Sequence, residues 1–216
     1  MTIVLDPSNG ITAPMYGGAI ASNAVTPSVS MKNRLINGAM LVDQRNAGAS
    51  VTPTTNGYTL DRWQVVISQS SKFSVQQNAG SVTPPAGFIN YLGCTSLAAT
   101  TVGSGDYYYI SQKIEGLNVA DLGWGTASAQ TVTISFWVRS SLTGTFGGTL
   151  INAAYSRAYP FTYTINLANT WEQKSITIAG DTTGTWATTN GTGLRVLFSM
   201  GAGSSVVGTV GSWSAT

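Results

Sequence analysis

Eight carboxylates, no histidine and a single cysteine bound the chemistry open to this 216-residue chain. Without histidine there is no Ser-His-Asp triad, no imidazole general base and no ordinary zinc site. No glycine-rich loop ends in Lys-Ser or Lys-Thr, and no dinucleotide fingerprint opens a helix. Glycoside cleavage needs only two carboxylates about 5–10 Å apart. The supply is Asp6, Asp43, Asp61, Asp106, Glu115, Asp121, Glu172 and Asp181, which form no local acidic pair. Asp61, Asp106, Glu115 and Asp181 lie beside Gly or Arg, as turn or pairing residues do. The expectation is a protein that is not an enzyme and has no catalytic residue. Cys94 sits in YLGCTSLAA among apolar neighbours, where a small buried side chain is the ordinary reading, and one cysteine forms no internal disulfide.

The polar residues point elsewhere. Charged residues are 8% of the chain, against about 25% in an ordinary globular domain, and Ser, Thr, Asn, Gln and Gly take their place. A net charge of +2 spread along the chain makes no electrostatic footprint for nucleic acid. No run approaches the ~18 apolar residues of a membrane helix, and MTIVLDPSNG has neither the basic nor the apolar part of a signal peptide. Expected partners therefore exclude nucleic acid and membrane, and synthesis is expected in a cytoplasm. With 43% hydrophobic residues a sizeable core can form. Such a surface suits an extracellular object or a subunit of a large assembly, where isolated charges would be costly to bury.

From residue 33 onward the elements read as short strands at 34–42, 62–69, 72–78, 90–97, 107–114, 131–139, 149–155, 161–167, 173–179 and 194–200, rich in Val, Ile, Thr, Tyr, Phe and Trp. One short helical stretch fits GLNVADLG, 116–123. Many short strands without alternating helices predict an all-β fold, an antiparallel β-sandwich of the jelly-roll kind. Alternation in QTVTISFWVRS puts Val132, Ile134, Phe136 and Val138 inward and Trp137 and Arg139 outward. In DYYYISQKI, Tyr108, Ile110 and Ile114 share one face, with Tyr107, Tyr109 and Lys113 on the other. Aromatic rings beside polar groups can stack on sugars; Tyr and Trp also pack at protein interfaces. Trp137, Arg139, Tyr107 and Tyr109 are thus the candidate glycan-binding or interface residues.

Asp61 and Arg62 stand side by side in NGYTLDRWQVVISQ. Placed in a strand they point to opposite faces. Asp61 then shares the face of Trp63, Val65 and Ile67, where its carboxylate accepts N–H groups of the preceding loop or meets Arg45. Arg62 shares the other face with Gln64. All three are expected to be structural fastenings, with no metal ligand among them.

Residues 1–31 carry Pro7, Pro14 and Pro27 with Gly10, Gly17 and Gly18 and keep no helical or strand period. They are expected to form an extended N-terminal arm docked on a partner or on its own oligomer, ahead of a sandwich at 32–216.

The ordered motifs NRLINGAMLVDQRNAG, YTLDRWQV, GLNVADLGWGTASAQTVTISFWVRSS, YTINLANTWEQKSITIAGDTTGTW and SWSAT run through residues 33–216. Together they resemble a jelly-roll domain of tail-fibre and other virion structural proteins of tailed bacteriophages, similar in architecture to carbohydrate-binding modules. The resemblance implies a virion structural protein, either a small fibre or a capsid or tail decoration protein, assembled in the host cytoplasm. It implies a homotrimer anchored to capsid or tail proteins through residues 1–31, and cell-surface glycan as an alternative ligand, with a polysaccharide depolymerase a further alternative. No cofactor is implied beyond the structural calcium such modules often hold. Similar domains continue past the SW segment to a closing strand, so the sandwich is expected to lack it.

Overall fold

In the computed structural model, residues 4–6, 10–12 and 32–215 are described. The chain divides into two units, 1–33 and 34–216. In the first, strands β1 (Val4–Asp6) and β2 (Gly10–Thr12) pair antiparallel; the rest of the expected arm, residues 1–3, 7–9 and 13–31, lies outside the described residues.

The second unit is an antiparallel β-sandwich. Its strands are β3 (Gly57–Leu60), β4 (Trp63–Ile67), β5 (Phe73–Gln77), β6 (Leu92–Ser96), β7 (Tyr107–Glu115), β8 (Val132–Val138), β9 (Gly144–Asn152), β10 (Ala158–Ile165), β11 (Glu172–Ile178) and β12 (Thr192–Ala202). Six form one sheet in the order β10-β9-β12-β7-β4-β3; the pairs β11-β8 and β5-β6 form two smaller sheets. Both small sheets pack on one face of the large one. Phe136 of β8 meets Tyr163 and Phe198 edge-on at 5.0 and 4.9 Å, and Phe73 of β5 meets Tyr108 at 6.4 Å.

Period-two alternation explains this arrangement, because each strand turns alternate side chains to the same layer. Val65, Ile110, Ile114, Leu150, Phe161, Ile165, Ile178, Leu194 and Val196 are buried between the layers; each large one contributes about 1.5–3 kcal/mol. Gly148 lies opposite both Phe161 and Phe198 in the ladders, and a Cβ there would come within 2.4 Å of the Phe161 ring. Two 3-10 turns, Gly116–Asn118 and Ala120–Leu122, occupy the expected helical stretch. At the other end of the large sheet, Ser214 bridges to Ala158 on the edge of β10, with backbone hydrogen bonds of 2.9 and 3.0 Å.

Two expected elements differ. Residues 34–42 form no strand but a turn, in which Asn37 and Met40 adopt left-handed φ of 55°. Polar side chains from distant strands hold it. The buried Gln112 amide accepts from the Ile36 N–H at 2.7 Å and donates to the Ile36 carbonyl at 2.8 Å, as a neighbouring strand would. Asn37 donates to the carbonyls of Val42 and Asp61, and Trp63 Nε1 donates to the Asn37 carbonyl. Arg34 forks onto Asp121 at 2.7 and 2.8 Å. The second difference is at Asp61 and Arg62. They are the two-residue turn between β3 and β4 and not the start of a strand, with Arg62 at φ 71°.

Candidate functional site

The turn explains Asp61, Arg62 and Arg45 individually. Asp61 Oδ2 accepts from the N–H of Gln44 at 2.7 Å, so it fastens the 41–49 loop and does not meet Arg45. Arg62 stands 4.0 Å from Glu115 at the end of β7. Arg45 lies over the Tyr58 ring, 5.4 Å from its centroid. These three residues share one end of the large sheet.

The four aromatic and cationic candidates do not share a site. Phe136 faces the six-stranded sheet, so its neighbour Trp137 points away from it, from the outside of β8. There Trp137 is 38% exposed and Arg139 donates to the Asn169 carbonyl at 3.0 Å. Tyr107 and Tyr109 alternate with the buried Tyr108 and Ile110, so they lie on the outer face of the six-stranded sheet, across the sandwich. Their rings are 6.0 Å apart and tilted by 35°. Alternation within each strand is as expected; the joining of the two pairs into one site is not.

Around Tyr107 and Tyr109 the large sheet gathers residues from distant strands. The ladders place Tyr58 opposite Gln64, Gln64 opposite Ser111 and Ser111 opposite Leu197. One row on, Lys113 is opposite Arg195. The turn between β9 and β10 brings in Tyr155, at φ 57°, and its ring lies 4.5 Å beneath the Arg195 guanidinium. Lys113 Nζ is 6.0 Å from the centroid of Tyr58. Burial, and then the charge and hydrogen bond of Tyr155, push the Tyr109 phenol well above its ordinary range, so it stays a neutral donor. Two polar atoms on this face, Gln64 Oε1 and Arg195 Nε, are buried without a hydrogen-bond partner. An unpaired buried polar group costs about 1–3 kcal/mol, which is tolerated where a ligand completes the bonding.

The turn that displays Tyr155 is anchored from behind. Asp181, 2% exposed, accepts from Arg157 Nε and Nη2 at 2.8 and 2.7 Å and from the N–H and hydroxyl of Thr183 at 3.2 and 3.1 Å. Burial raises its pKa, but the Arg157 and Thr183 donors outweigh burial and hold it below the usual carboxylate range. Asn152 accepts from the N–H groups of Ser156 and Arg157, closing the same turn. Trp124, Trp186 and Trp213 stack edge-on beside it at 4.8–5.3 Å.

A separate cavity of about 290 Å³ opens between β5, β6, β7 and the 98–102 loop, lined by Phe73, Cys94, Val102, Tyr108 and Met200. Burial pushes the Cys94 thiol up to about 12, so no thiolate is available there. Among the described residues no three His, Cys, Asp or Glu side chains come together to hold a metal. No described helix is long and apolar enough to cross a membrane.

No family model matches the chain, and no curated protein matches it. Among solved structures it is similar to the enzymatically active domain of tailspike protein 4 of bacteriophage CBA120, with 12% identity and a TM-score of 0.45. The alignment covers 85% of this chain and 20% of that one, so the chain spans about a fifth of the tailspike chain's length. The likeness transfers no residue role. The expectation that the chain is not an enzyme does not stand beside it, because the tailspike domain is described as enzymatically active; the likeness gives this chain no activity of its own.

Proposed function

We propose that this chain is a tail-associated structural protein of a tailed bacteriophage, and that its sandwich engages glycan through the outer face of the six-stranded sheet. The observation that carries the glycan reading is the convergence of Tyr58, Tyr109 and Tyr155 with Arg195 and Lys113 on that face, beside two unpartnered polar atoms. Rings offer stacking surfaces, and fixed donors and acceptors orient what stacks. The phage setting is supported by the motif order of residues 33–216 and by the scarcity of charge. In that setting residues 1–31 anchor the chain to capsid or tail proteins and the assembly is a homotrimer.

Retention of purified protein on host-surface polysaccharide tests the reading. Tyr155→Ala is expected to weaken retention about tenfold, or 1.4 kcal/mol, with an unchanged melting temperature. Trp137→Ala, on the opposite face, should leave retention within about twofold. Equal losses from both substitutions, or from neither, would reject this face as the site. Reducing ends measured in the same incubation report whether the glycan is also cleaved.

A further inference from the structure

We propose that the outer face of the six-stranded sheet holds an anionic sugar, its carboxylate seated between Lys113 and Arg195. The inference rests on the glycan reading above and names the class of sugar.

Lys113 and Arg195 are directly opposite in the β7–β12 ladder. Like charges in that relation repel and destabilise a sheet. Glu115, two residues along the same face of β7, is drawn to Arg62 at 4.0 Å. Among the described residues neither Lys113 nor Arg195 has a carboxylate within 4.0 Å. In a chain so poor in charge, two opposed cations without an acid between them are an arrangement that folding alone does not favour. The aromatic rings hold the two heads in place, Tyr58 near Lys113 and Tyr155 beneath Arg195.

The second observation concerns the direction from which an anion would come. Arg195 Nε is buried and has no hydrogen-bond partner. Nε itself is covered, so a carboxylate reaches it by displacing what covers it and then meets the two parallel N–H donors of the guanidinium's Nε edge. One planar anion so placed would satisfy the orphan donor and relieve the repulsion with Lys113. A uronic acid supplies that carboxylate on a ring able to lie against Tyr155 or Tyr58.

NMR titration of the full chain, following the Arg195 Nε–H and the tyrosine ring signals, tests this with sodium glucuronate, glucose and inorganic phosphate as probes. Glucuronate is expected to shift the Arg195 Nε–H saturably and to bind at least tenfold more tightly than glucose. Arg195→Gln should abolish the difference between the two sugars. Lys113→Gln should melt at or above the wild-type temperature while also losing glucuronate, since it removes a repulsion. Equal binding of glucose and glucuronate overturns the acidic-sugar inference and leaves the glycan face standing. Phosphate binding as tightly as glucuronate overturns the carboxylate assignment. No tyrosine shift with either sugar, together with no retention on polysaccharide, defeats both readings.

Discussion

The two outer faces of the sandwich are built by the same alternation and carry different chemistry. On β8 and β11 the outward residues are Thr133, Ser135, Trp137, Gln173, Ser175 and Thr177, with the two threonine hydroxyls 3.2 Å apart. That face has short polar groups and one tryptophan, with Arg139 just past the end of β8 tied to the Asn169 carbonyl. The outward face of the six-stranded sheet has Tyr58, Gln64, Tyr109, Lys113 and Arg195, with Tyr155 laid over it. A hydroxyl face solvates easily, whereas buried polar atoms without a partner are costly. On the glycan reading proposed above, the first face meets solvent and the second meets the ligand.

The largest expected effect tests what supports the recognition face. Asp181→Ala leaves the Arg157 guanidinium without its buried partner and should cost about 3–5 kcal/mol, lowering the melting temperature by roughly 10 °C in a chain of this size. Because Arg157 closes the turn that carries Tyr155, glycan retention should fall as well. A stable variant with full retention would show that the turn holds itself. A smaller effect is expected at the other end of the same sheet. Asp61→Asn weakens the bond to the Gln44 N–H that fastens the loop carrying Arg45. It should cost about 1 kcal/mol, read as a drop of about 2–4 °C in melting temperature.

The smallest effect belongs to β11, where Glu172 and Lys174 stand opposite the inward Val138 and Phe136. Lys174, and then the N–H groups of Leu167 and Asn166, hold Glu172 down at about 2, below its ordinary 4.5. A carboxylate depressed in the folded state stabilises fully above the unfolded pKa and loses that contribution as pH falls through the folded one. Stability should therefore decline between about pH 4.5 and pH 2, and this part of the decline should vanish in Glu172→Gln, measured by chemical denaturation at each pH. A loss of glycan retention in Glu172→Gln would show that the small β8–β11 sheet also supports the opposite outer face.

Much of the sandwich was legible from alternation: β4 to β12 fall on or beside runs of β-branched and aromatic residues. Residues 34–42 misled because Leu35, Ile36, Leu41 and Val42 look like a strand. What prevents one is the left-handed Asn37 and partners far along the chain, Gln112, Asp61 and Trp63, which no local pattern reveals. β3 was hidden inside a stretch read as loop. For the site, alternation placed Tyr107, Tyr109 and Lys113 together, since that needs one strand only. It also set Trp137 and Arg139 outward, but a period of two cannot say which side of a two-layer fold "outward" is. Arg195 and Tyr155 were missed for a related reason. Arg195 becomes a neighbour of Lys113 through strand order, and Tyr155 arrives through a turn where the residue pattern predicts the end of a strand.

Gln112 ties the 34–42 turn to the middle of β7 by imitating a strand's backbone. The Ile36 amide proton is therefore shielded by a side chain rooted in the central ladder, although Ile36 itself is 47% exposed. Its exchange with solvent deuterium should follow the opening of β7 more closely than the fraying of the turn around it. A single surface amide would then serve as a clock for the centre of the protein.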